Sequence, residues 1–298
     1  MTRIPFDQFA KQFLDEFLTP LGKVEKSLEV LGESKLVDIY FAPSAQPTVN
    51  PKILGLLGRL AATPCLFEPF RNPPTATEVR DCILKLFWVH SDLQRQAHRE
   101  QRRILEAELP RLWILASSAS ASLLKNFAAT PNDTWLPGIY LMGESFKSAI
   151  ICINQLPQTQ ETLWLRLLGK GTTQEQAITQ LLDFPRDEPS RTKALRLLAN
   201  WKITLETSKE IDKDEQGLIM MLSQAYLEWE RETERRGIQT ERTTTIENLL
   251  KARFGSLDEE LTGIIPILVE FSIEKYTSFL LQLPQLSREE LLTRFGNK

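Results

Sequence analysis

Leu36-Val37-Asp38-Ile39-Tyr40-Phe41 and Cys65-Leu66-Phe67-Glu68-Pro69-Phe70-Arg71 are two short runs rich in strand-forming residues, each carrying one acid. Both have the composition of β-strands. A carboxylate inside a buried strand is costly unless it is paired, hydrogen-bonded or bound to a cation, so two of them point to a site. Alternate residues of a strand share a face, which groups Asp38 with Tyr40 and Glu68 with Phe70. On neighbouring strands the two acids would lie side by side and offer the oxygen ligands that Mg²⁺ takes. The plain alternative is two structural carboxylates, each neutralised by an Arg or Lys.

Working outward, Phe6, Phe9, Ala10, Phe13, Leu14 and Phe17 recur at helical spacing, and Pro20 and Gly22 end that helix. Val24 to Leu31 reads as a strand before the first acid. After the second acid, Asn72-Pro73-Pro74 breaks the run and Thr75-Ala76-Thr77-Glu78 is a capping box that opens a long helix. Its apolar stripe is Val79, Ile83, Leu86, His90, Leu93 and Ala97. Lys85 is a candidate for a displaced catalytic lysine, but it points well away from that stripe and exposure is the expected role. Leu112–Leu115, Ile139–Met142 and Ala149–Ile153 are further strand candidates, with a short helix around Leu123 to Phe127. The resulting order is that of an α/β sheet domain ending near residue 157.

Beyond Pro157 the pattern is helical throughout. Thr172–Glu175, Ser256–Glu259 and Ser287–Glu290 have capping-box spacing, and Gly255 and Gly296 sit where helices should end. Three domains are expected: 1–157 as the α/β domain, 158–238 as a helical region with a charged connector, and 239–298 as a small helical module.

The chain of 298 residues has 36 basic and 39 acidic side chains, a net charge of -3, so no global basic bias favours nucleic acid. Cys65, Cys82 and Cys152 are far apart, which argues against a disulfide framework and a zinc site. The start lacks the apolar core of a signal peptide, and no apolar run is long enough to span a bilayer. A cytoplasmic protein with no membrane partner is expected. Only His90 and His98 are present, both on one predicted helix, so no Ser/His/Asp triad is suggested. His90, inside the apolar stripe, reads as a hydrogen-bonded core histidine. Arg95, Arg99 and Arg102 read as a solvated helix face, and Gly169-Lys170-Gly171-Thr172-Thr173 as a helix-to-helix turn without P-loop spacing.

A helix, three strands with an acid in the second and another in the third, a helix and a strand: this order resembles the PD-(D/E)XK restriction-endonuclease-like fold. Phe6-Asp7-Gln8-Phe9-Ala10-Lys11 followed by Asp38 and Glu68 resembles the Rpn-type recombination-promoting nucleases and transposase-like proteins. Arg253-Phe254-Gly255-Ser256-Leu257-Asp258-Glu259-Glu260-Leu261 is similar to a C-terminal domain of unknown function found in cyanobacterial proteins of that kind. The resemblance implies a restriction-endonuclease-like mixed sheet flanked by helices, followed by an all-α C-terminal half. It also implies Mg²⁺-dependent hydrolysis of DNA, with Asp38 and Glu68 as metal ligands and Asp7 as a third acid. The family pattern wants a lysine or glutamine two residues after the strand acid, where this chain has Phe70. Arg71 is the expected stand-in, through a bulge at Pro69 that would turn it onto the Glu68 face. The alternative is a catalytically inactive nuclease-fold adaptor for protein or DNA. In either case the C-terminal helices are expected to mediate homodimer or partner contacts.

Overall fold

The computed structural model describes residues 3–29, 36–186, 188–207 and 213–296. Among them, α1 (Arg3–Leu18) leads into the hairpin β1 (Gly22–Glu29) and β2 (Leu36–Pro43), followed by α2 (Gly55–Leu60), β3 (Cys65–Phe70) and α3 (Ala76–Arg99). Then come β4 (Arg111–Ala116), α4 (Ala121–Asn126), β5 (Thr130–Pro131), β6 (Ile139–Leu141) and β7 (Ser148–Cys152). The strands form one mixed sheet in the order β1-β2-β3-β4-β7-β6-β5. β3, β4 and β7 run parallel at its centre, and the outer pairs are antiparallel. Central parallel strands are buried on both faces, and accordingly β4 and β7 are almost wholly apolar and buried.

The remaining helices are α5 (Leu163–Arg166), α6 (Thr172–Leu182), α7 (Pro189–Thr207), α8 (Lys213–Phe254), α9 (Glu259–Val269), α10 (Ile273–Gln282) and α11 (Arg288–Phe295). The chain divides into two compact units, residues 1–228 and 229–298. Of the helices after residue 157, α5, α6 and α7 therefore share a unit with the sheet. Packing explains this: Phe9 of α1 stacks on Trp201 of α7 with ring centroids 4.2 Å apart and planes 8° apart, and Phe6 lies 6.0 Å from the same indole. The aromatic stripe of α1 thus meets the later helices through Phe6, Phe9 and Phe17, the last against Trp164 of α5.

On one sheet face, Val79, Cys82, Leu86 and Val89 of α3 pack with Leu66, Leu112, Ile114 and Ile150. The capping box of Thr75 and Glu78 opens α3 as its sequence requires. His90 is buried with Nε2 2.8 Å from the Pro110 carbonyl oxygen, and burial lowers its pKa.

The C-terminal unit closes over its own core, in which Ile246 and Leu250 of α8 meet Leu261, Ile264 and Leu268 of α9, then Phe279, Leu283 and Leu291. The Ser287–Glu290 capping box forms, whereas α9 is capped by Asp258 and not by Ser256. The shorter cap places Glu259 and Glu260 in the first turn, where carboxylates favour the helix dipole. Gly255 ends α8 with φ +86°, a conformation few other residues accept; Gly296 is extended. α6 begins on Gly171, without a side-chain cap. No helix among the described residues is long and apolar enough to cross a membrane.

Candidate functional site

The two strand acids are brought together. β2 and β3 are antiparallel neighbours with Ile39 opposite Phe67, so the next step along the ladder sets Asp38 beside Glu68. The Asp38 backbone N–H donates to Glu68 Oε1 at 3.3 Å. Glu68 is 2 % exposed and faces α3. Burial, and then the charge of Asp38, push its pKa up to about 7 against the pull of Lys85.

Lys85 lies against Glu68, where its distance from the apolar stripe predicts exposure. It is 15 % exposed, and its Nζ lies 2.8 Å from Glu68 Oε2. Glu78, Asp81, Cys82 and Lys85, spaced i, i+3, i+4 and i+7, form a second stripe of α3 that lines a cavity of about 430 Å³. Lys85 sits about 100° round the helix from Leu86. That is the rim of the contact with the sheet, not the solvent side, because Cys82 and Val89 widen the buried face towards it. Burial opposes its charge, but the Glu68 carboxylate outweighs burial and its pKa is raised.

Asp38 has its own cation. Lys11 Nζ lies 2.8 Å from Asp38 Oδ1 and 3.0 Å from Asp7 Oδ2, so one turn of α1 ties the third expected acid to the first. Asp7, at 41 % exposed, opens onto the same cavity. Across the hairpin, between the pairs Lys26–Ile39 and Leu28–Val37, Ser27 adopts φ +53°. A non-glycine residue there stores about 1 kcal/mol of strain beside the acid.

Arg71 lines the same cavity as the acids, but not by way of a bulge. β3 pairs with β4 without interruption from Cys65 to Phe70, so no bulge forms at Pro69. Pairing with β2 stops at Phe67, and beyond that point a residue without an N–H is tolerated. Arg71 follows directly after the last residue of β3. Its Nη1 donates to the Gly169 carbonyl oxygen at 2.5 Å and to Gln174 Oε1 at 2.8 Å, and its guanidinium lies 5.3 Å from the Phe6 ring and 5.2 Å from the Trp201 ring. It fastens the end of β3 to α1, α6 and α7. Arg71→Ala is expected to cost about 2–4 kcal/mol of stability, from charged hydrogen bonds and cation–π contact, read by urea unfolding, and to leave cation affinity unchanged.

Among the described residues, no group of three or more His, Cys, Asp or Glu side chains converges as a metal site. Mg²⁺ needs fewer, since it keeps several waters and takes one or two protein carboxylates together with substrate phosphates. Asp38 and Glu68, adjacent and lining a cavity also walled by Asp7, Glu78 and Asp81, fit that reduced donor set. Lys85 lines the same cavity, with its Nζ 2.8 Å from Glu68 Oε2. No family model matches the chain, and neither the curated proteins nor the solved structures compared with it give a match.

Proposed function

We propose that the chain is a metal-dependent endonuclease-like hydrolase of DNA phosphodiesters on a restriction-endonuclease-like fold, akin to the Rpn-type nucleases. Asp38 and Glu68 hold Mg²⁺, and Lys85 takes the role of the strand lysine. The observation that carries this reading is the 2.8 Å contact from Lys85 to Glu68, one strand over from Asp38. A bound Mg²⁺ supplies Lewis-acid polarisation of the phosphate and a more acidic water. Lys85, anchored on a buried carboxylate, orients the attacking water and offsets negative charge growing on the phosphate. Lys11 neutralises Asp38 in the metal-free protein and keeps a partner in Asp7 when Asp38 turns to a cation.

A second reading, the inactive adaptor, is favoured by one observation: both acids are already neutralised by lysines. Incubating supercoiled plasmid with the protein and Mg²⁺ or Mn²⁺ separates the two. Nicked or linear product that requires the metal supports hydrolysis. DNA retained in a complex but uncut with every divalent cation tried supports the adaptor.

The pH dependence follows from Glu68. Its charged form, the one that binds a cation, is held back until about pH 7. Cation affinity is therefore expected to rise up to about tenfold per pH unit towards 7 and level off above it. Without metal the sign reverses. A carboxyl raised from 4.5 to about 7 favours the protonated fold, so its contribution to stability is full at low pH and lost as pH rises through 7. The metal-free melting temperature of the wild type should fall more between about pH 5 and 8 than that of Glu68→Gln.

A further inference from the structure

A second cavity, of about 770 Å³, opens where the parallel strands begin. Arg111 starts β4 and Ser148 starts β7, and both line it, with Thr63 just ahead of β3. It is distinct from the acidic site. Arg111 pairs with Cys65 and Glu68 with Ile114, three residues or about 10 Å further along. By strand alternation Arg111 and Trp113 project to the face opposite Glu68 and Ile114.

The walls of this cavity carry cations and a stacked aromatic platform. The Arg59 guanidinium lies 4.1 Å from the Trp135 ring centroid and donates to the Thr134 carbonyl. Trp135 meets Trp113 edge-on at 5.4 Å, and the Trp113 indole N–H is fixed on the Leu60 carbonyl at 3.0 Å. Lys147, 8 % exposed and held in a left-handed conformation at φ +47°, is bound to the Glu106 backbone oxygen and carboxylate. Arg111 differs from both. Its guanidinium has no hydrogen-bond or ion-pair partner among the described residues, and the one acid lining the cavity is Glu144.

An unpartnered guanidinium beside a rigid arginine–tryptophan stack is suited to a ligand with a phosphate and a flat ring. Arg111 offers a fork of donors to phosphate, and the stack offers a surface on which a base can lie. We propose that this cavity is a nucleotide site, with Arg111 gripping the phosphate and Arg59 and Trp135 receiving the base. The site does not depend on the hydrolase reading.

Calorimetric titration of the full chain with ATP, and separately with a 5′-phosphorylated ten-nucleotide DNA strand, tests it. Saturable binding of either probe in metal-free buffer is expected, weakened tenfold or more by Arg111→Gln and by Arg59→Gln. Binding of ATP alone assigns the site to free nucleotides; binding of the strand alone assigns it to nucleic acid. No saturable binding of either, or binding unaffected by both arginine variants while their circular dichroism matches the wild type, overturns the proposal.

Discussion

Lys85→Ala is expected to lower the single-turnover rate of DNA cleavage by about 10²–10³-fold, the usual effect of removing one donor from a developing oxyanion. Because Lys85 is not a metal ligand here, Mn²⁺ should still bind. The binding curve should move to higher pH, since Glu68 loses the neighbour that opposes its protonation. The same change leaves a nearly buried carboxyl without its partner, at about 3–5 kcal/mol if it stays charged, so the variant should be least stable above pH 7. Lys85→Arg keeps the charge without the compact amine and should recover stability more fully than rate. An unchanged cleavage rate in Lys85→Ala would reduce the Lys85–Glu68 contact to a structural ion pair.

Asp38→Asn combined with Glu68→Gln removes two charges at nearly constant volume. Saturable Mn²⁺ binding should weaken by at least about 100-fold in calorimetry, since Mn²⁺ and Mg²⁺ need anionic oxygen donors, and metal-dependent cleavage should disappear. Folding should survive. Glu68 is already drawn towards its neutral form, and an amide can still accept from the Asp38 backbone N–H. Lys11 keeps Asp7, while Lys85 is left to the cavity and to solvent. Retained Mn²⁺ binding in this variant would put the cation elsewhere.

Much of this site is legible from local pattern, and the rest depends on packing. The two acid-bearing strands, the aromatic stripe of α1 and the capping box of α3 each announce themselves within a few residues, because strand alternation and helix periodicity are local. The strands are also neighbours, as the side-by-side arrangement of the acids requires. The apolar stripe alone predicts an exposed Lys85, because it leaves out the flank of the buried face. Cys82 and Val89 extend that face, and only the position of α3 over β3 shows that its flank lies above Glu68. The bulge expected at Pro69 to turn Arg71 onto the Glu68 face does not form. Pro69 looked like a bulge, but a proline past the end of one ladder leaves the strand straight. The association of α7 with α1 is a long-range aromatic contact that no window of sequence contains. The two-residue β5 is too short to carry a periodicity.

The most direct measurement is anomalous diffraction from crystals of the wild type soaked in Mn²⁺ above pH 7. The account predicts a peak within about 2.2 Å of oxygens from both Asp38 and Glu68, with Lys11 released to Asp7 and Lys85 facing the cavity. Crystals at saturating Mn²⁺ with no peak there, and with the Lys11–Asp38 and Lys85–Glu68 pairs intact, would contradict it.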